Sequence, residues 1–351
     1  MLFARFHGAI RHNERTMTEG SRRKRGRIIA FIAVIAVAAI ALLGYINRQY
    51  ITDQVTVWTF TPSSEVVEVK DRLNLTDRGE FVFLASSPTL ESSQLFNEQC
   101  SNVNHGDGGH VLGCFTGENI HLFKIDDERL NGVVEVTAAH ELLHAAYSRL
   151  SDAEKEDLNR ILLSEYERIG AEKPEIKERM AVYDQLTEAQ FVNELHSVLG
   201  TEVSGLSAEL EEHYATYFTN RQIILDLFNS YHSAFTSLQS QAQEIEAQMR
   251  SLGDSIESRR QSYEESITTL NATIAAFNDR AQSGSFSSQA EFQSERNRLL
   301  SRADALEAER TTLESDVSKY NELRQKLIAL GAESQELNRV LDSNLAPAPS
   351  L

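Results

Sequence analysis

Residues 133–150 read VVEVTAAHELLHAAYSRL. Apolar residues recur through this stretch at helical spacing, and neither glycine nor proline interrupts it, so it predicts a helix over Val133–Arg149. Side chains four apart lie one above the other on a helix, so His140 and His144 can offer both imidazoles to one ion. Glu141 stands beside them, placed to reach a water rather than the ion. Two imidazoles and a neighbouring carboxylate suit Zn2+: the ion acidifies a water, and the carboxylate takes the proton before a carbonyl is attacked. The surroundings are apolar, where an imidazole pair without partners would be costly.

On the C-terminal side, Ser151 followed by Glu154 predicts a capped helix start. Helices are expected at about 152–169, 175–184, 187–199 and 207–228. On the N-terminal side, residues 47–62 hold a short alternating segment, and Glu65–Leu73 reads as a short helix with Val66, Val69 and Leu73 on one side. Phe81–Ala85 (FVFLA) and Asn119–Ile125 (NIHLFKI) are strand candidates. The expected domain, residues 50–229, is therefore α+β, with a small sheet first and helices after it. Cys100 and Cys114, the only cysteines, bracket a polar, glycine-rich loop; a disulfide would staple it.

The basic cluster Arg22, Arg23, Lys24, Arg25 and Arg27 directly precedes Ile28–Ile46, which carries no charge and no proline. Nineteen helical residues span about 28 Å, close to the hydrocarbon thickness of a bilayer. A single membrane-spanning helix is expected at 28–46, behind a basic tail at 1–27 whose first residues (1–21) lack structure. The positive flank places the N-terminus in the cytoplasm and the C-terminal domain outside. A cleaved signal peptide is the other reading of such a segment, but this run is long and no A-x-A site ends it.

Beyond residue 230, Phe235, Ala242, Met249, Ile256, Tyr263, Leu270 and Phe277 recur every seven residues, with Leu238, Ile245 and Leu252 at the second heptad position. After AQSGSFSS at 281–288 the repeat restarts at Phe292, Leu299, Leu306, Leu313, Tyr320 and Leu327, with Ala303 and Val317 between. Such a pattern predicts a long antiparallel coiled-coil hairpin over 230–343, with arms of about 60 Å and a possible protein partner, then an unstructured tail at 344–351.

The chain has 34 basic and 52 acidic residues. Outside the basic N-terminal segment the acidic excess is larger still, which excludes a nucleic-acid partner, since phosphates require a basic face. The competing expectation to an enzyme is an envelope structural or interaction protein built around the coiled coil, with only a structural zinc site.

VTAAHELLHAAY resembles the active helix of zincin metallopeptidases. The resemblance implies an α+β peptidase domain acting on a peptide or protein substrate. It also implies an edge strand before the helix that aligns the substrate, for which Asn119–Ile125 is suitably placed. A third protein ligand is implied downstream. AAYSRLSDAEK follows His144, so the metzincin form, which takes a nearby histidine, is absent. The gluzincin form takes a glutamate from a following helix. Glu194, in FVNELHSVLGTE, is the first choice, with Glu202 and His196 as alternatives. His196 points about 200° from Glu194 around a helix, and Glu202 lies beyond Gly200, past the expected helix end. The separation of His144 and Glu194 exceeds the shortest gluzincin pattern. In LEEHYATYFTNR, His213 and Tyr217, with Tyr214 between them, are candidates for stabilising charge on the substrate carbonyl. His110 and His121 are weaker candidates.

Overall fold

The computed structural model describes residues 11–101, 103 and 110–344, and side chains from residue 29 onward. The expected tail at 344–351 lies almost wholly outside these residues.

Helix α1 (Arg11–Ile46) contains the apolar run. Residues 11–21, expected to be unstructured, continue the same helix. The 18 residues Ile29–Ile46 are apolar, unburied and long enough to cross a membrane. Asn47 separates α1 from α2 (Arg48–Thr59), so the segment read as alternating is helical. Helix α3 (Ser64–Leu73) begins at Ser63, whose hydroxyl accepts from the Val66 amide, and buries Val66, Val69 and Leu73. Helix α4 (Asp77–Ala85) contains the predicted strand FVFLA. Thr76 caps it by accepting from the Gly79 amide at 3.0 Å, and Asp77 and Glu80 favour its first turn. A short apolar run is compatible with either structure, and here the cap upstream prevails.

Strand β1 (Thr89–Glu91), helix α5 (Ser93–Cys100) and strands β2 (Gly113–Phe115) and β3 (Ile120–Phe123) follow. The sheet order is β1-β3-β2, with β1 parallel and β2 antiparallel to β3. The segment expected at the edge is therefore the central strand, covered on one side by each of two three-residue strands. Among the described residues, β2 is the antiparallel edge strand of the sheet. Cys100 and Cys114 are bridged, tying the end of α5 to β2.

Helix α6 (Val133–Ser148) runs through the core; Ala138, Ala139, Leu142, Leu143 and Ala145 have no exposure. Helices α7 (Asp152–Glu172), α8 (Pro174–Met180), α9 (Glu188–Glu202) and α10 (Ala208–Tyr214) follow; α9 packs on α6, and α7 packs on both α8 and α9. Capping boxes start α7 at Ser151 and α9 at Thr187. Gly200 does not end α9. A Cβ there would lie 2.4 Å from Leu143 Cδ1 and 2.7 Å from Tyr214 Cε1, so glycine permits the close packing of α9 on α6. The buried Arg221 donates to the carbonyls of Leu199, Gly200 and Val203 at the end of α9.

The helix expected over 207–228 is broken after α10. Its second part starts α11 (Gln222–Ser283), so the hairpin is rooted in the domain through buried Ile224 and Leu225. A turn at Gly284 leads to α12 (Gln289–Leu341), packed along α11. At 62 and 53 residues these helices are about 93 and 80 Å long, longer than expected. Arg259 pairs with Glu309 and Asp316, and Arg280 with Glu291 and Glu295, which fixes the antiparallel register. Val317 is 45% exposed and does not join the seam, where Asp316 reaches Arg259 instead. The end of α12 returns to the domain: Leu337 and Leu341 bury against Leu130 and Val133.

Candidate metal centre

Helices α6 and α9 present their functional side chains to one another. Ser197 of α9 donates to the His140 carbonyl at 3.2 Å, tying the two helices at the centre of the site. His140 Nε2 and His144 Nε2 are 3.1 Å apart. Glu194 Oε2 lies 3.4 Å from His140 Nε2, and Oε1 lies 3.5 Å from His144 Nε2. One donor atom from each of these residues falls within 4.8 Å of the others. Donors about 2.0–2.1 Å from a tetrahedral zinc stand about 3.3 Å from one another, so the observed spacing fits such an ion.

The electrostatics agree with that fit. Burial pushes His144 down, but the Glu194 carboxylate outweighs it and holds the imidazole up at about 9. Burial pushes Glu194 up, and the charge and hydrogen bonds of His144 and His140 carry it well below the usual carboxylate range. A cation is thus favoured where the three groups meet. His144 Nδ1 and Asn193 Oδ1 are both buried without a partner. The Asn193 side chain, as an acceptor, is among the effects that raise His144. With Nε2 given to a metal, Nδ1 would carry the proton, with Asn193 among the groups that favour it there. The sequence reading gave Asn193, beside Glu194 in FVNELHSVLGTE, no role of its own.

Glu141 is 4% exposed and, with His140 and Glu194, lines a cleft of about 320 Å³. Its other walls are Val136 and Thr137 of α6, Gly113 of β2 with the preceding His110–Leu112, Arg179, Val182 and Tyr183, Glu202, and Tyr231 and Leu341 from the two ends of the hairpin. Burial raises the phenols of Tyr183 and Tyr231, keeping both protonated and able to donate.

The two alternative third ligands are engaged elsewhere. Glu202 accepts from Arg179 at 3.0 Å through both oxygens. His196 turns to His213, with Nε2 atoms 2.9 Å apart. His213 and Tyr217 do not line the cleft. They belong to a buried cluster with His196 and Tyr214, in which His196 stacks on Tyr214 at 5.5 Å. Burial holds His213 down at about 4 and pushes His196 well below its ordinary value. His121 accompanies Glu91 and Thr89 on the sheet, 2.9 Å from Glu91 Oε1, and is also outside the cleft. His110 lies at the cleft rim, within 3.4 Å of Asn338 of α12. In comparisons with known proteins, no family model, curated protein or solved structure matched this chain.

Proposed function

We propose that this chain is a membrane-anchored, zinc-dependent endopeptidase of the gluzincin type, with its catalytic domain outside the cytoplasm. One observation carries the reading: His140, His144 and Glu194 converge, and His140, Glu194 and the buried Glu141 line one cleft that also takes in Gly113 of the edge strand β2. A purely structural site has no use for an acid at 141 facing a cleft.

His140, His144 and Glu194 would hold the zinc, which supplies a Lewis acid that acidifies water and polarises a carbonyl. Glu141 accepts the proton from the attacking water and delivers it to the leaving amine. Its burial excludes bulk water that would compete for that proton. The edge of β2 offers unpaired backbone groups to an extended peptide, adding it as an outer strand. Tyr183, in the cleft wall and within electrostatic reach of Glu194, donates to the carbonyl oxygen as it gains charge. This role passes to Tyr183 from His213 and Tyr217, which face another cluster. The basic segment before the membrane helix keeps the N-terminus in the cytoplasm.

The test is metal depletion. Chelator treatment of the full chain in detergent should abolish cleavage of an unstructured peptide, and zinc should restore it. Cleavage that persists after the zinc is removed would exclude the reading.

A further inference from the structure

Helix α2 has two unlike faces. Asp53 is buried and receives Arg149 Nε and Nη2 at 3.0 and 2.9 Å, which pins α2 to the C-terminal end of α6. On the opposite side stand Ile51, Val55 and Trp58, exposed by 48, 54 and 92%. At about 100° per residue these three fall within about 60° of arc, roughly opposite Asp53. Water-exposed indole beside two aliphatic side chains is an unpartnered apolar stripe.

Its position says what covers it. Only Asn47 separates α2 from the apolar run of α1. The helical ladder is interrupted at that point: the Asn47 amide donates back to Leu43, and the next helical bond is from Ile51 to Asn47. Such a break lets α2 leave the axis of α1. Indole rings favour the boundary between hydrocarbon and headgroups, where one side is apolar and the other wet.

We infer that α2 lies along the bilayer surface, with Ile51, Val55 and Trp58 seated in the interface beside the membrane-spanning helix. The Asp53–Arg149 pair then fixes the height of the catalytic domain. Helix α2 is about 10–12 Å thick, and His140 lies nine residues, about 13 Å, from Arg149 along α6. The metal centre is therefore held within about 25 Å of the membrane. If the peptidase reading holds, the substrates it favours are segments near the anchors of other membrane-tethered polypeptides, which about eight extended residues would bring to the cleft.

Trp58 is the only tryptophan in the chain, so its fluorescence reports this face alone. The full chain, reconstituted in phosphatidylcholine vesicles, should emit at shorter wavelength than a hydrated indole and lose emission when the lipid chains are brominated. The Ile51→Gln/Val55→Gln double variant should weaken that quenching while circular dichroism stays unchanged. The Glu141→Gln chain should behave as the wild type, which separates this result from the fate of the peptidase reading. Alkaline carbonate extraction tests the membrane span separately. Emission typical of water with no quenching by brominated lipid would overturn the inference. Shielding of Trp58 in native membranes but not in pure lipid would also overturn it, in favour of a protein partner. Unaltered quenching in the double variant would show that the stripe does not seat Trp58.

Discussion

Gly113 of β2 stands against Glu141 of α6 so closely that a Cβ on the glycine would lie 3.0 Å from Glu141 Oε1 and 2.5 Å from Thr137 Cγ2. The strand edge proposed to hold substrate is thereby brought to the proposed base. Gly113→Ala must displace either the strand or the Glu141 side chain. Overpacking of this kind costs about 1–3 kcal/mol. The variant should retain its zinc and lose about tenfold or more in kcat/KM, since misplaced reacting groups are costly. Wild-type kinetics would show that this contact does not set the site.

The Asp53–Arg149 pair is buried on both sides, with both side chains 6% exposed. Removing one partner leaves the other charge buried and unpaired, so Asp53→Ala should cost about 3–5 kcal/mol. Urea unfolding of the wild type and variant would measure the loss. A change typical of an exposed ion pair, under about 1 kcal/mol, would contradict the burial seen here.

Tyr183 and Tyr217 give a paired test. Tyr183 lines the cleft and Tyr217 does not. Loss of an oxyanion donor costs about 100-fold or more in kcat. Tyr183→Phe should show a loss approaching that size with little change in KM, whereas Tyr217→Phe should leave kcat near the wild-type value. The reverse result would return the role to the His213–Tyr217 cluster.

His213 provides a stability test. Its native value is about 4, against about 6.5 in an unfolded chain. Above pH 6.5 neither state is protonated there, so His213 adds no pH dependence. Between 6.5 and 4 the unfolded state takes up a proton that the native state refuses, so stability falls as pH falls. The full loss below pH 4 is on the order of 3 kcal/mol, of which about 2 kcal/mol has occurred by pH 5. His213→Gln should remove that part of the acid sensitivity when urea midpoints are compared at pH 7.5 and 5. Equal acid sensitivity in both proteins would refute it.

The histidine pair and Glu141 were legible because one helical turn encodes them locally. Glu194 was singled out through its predicted helix, its apolar surroundings and the resemblance to the gluzincin second helix, and it falls beside the two histidines. The sheet was not. Strands β1 and β2 have three residues each, too few for alternation to show, and their absence from the sequence reading made the central strand look like an edge. The far walls of the cleft were also hidden. Tyr231 and Leu341 reach it only because a long helical hairpin leaves the domain and returns, and no local pattern announces a contact made across that distance. The His196–His213 pair was misplaced for a related reason. Its partners are set by how α9 and α10 meet, not by spacing within either.

The central claim is that Glu141 performs proton transfer beside a zinc ion held by His140, His144 and Glu194. Metal content and peptide hydrolysis, measured together on the wild type and Glu141→Gln, test it most directly. Both proteins should bind about one zinc per chain, as three converging protein ligands imply, and hydrolysis by the variant should fall by at least about 100-fold. A wild type without zinc, or a variant that cleaves peptide at the wild-type rate, would contradict the account.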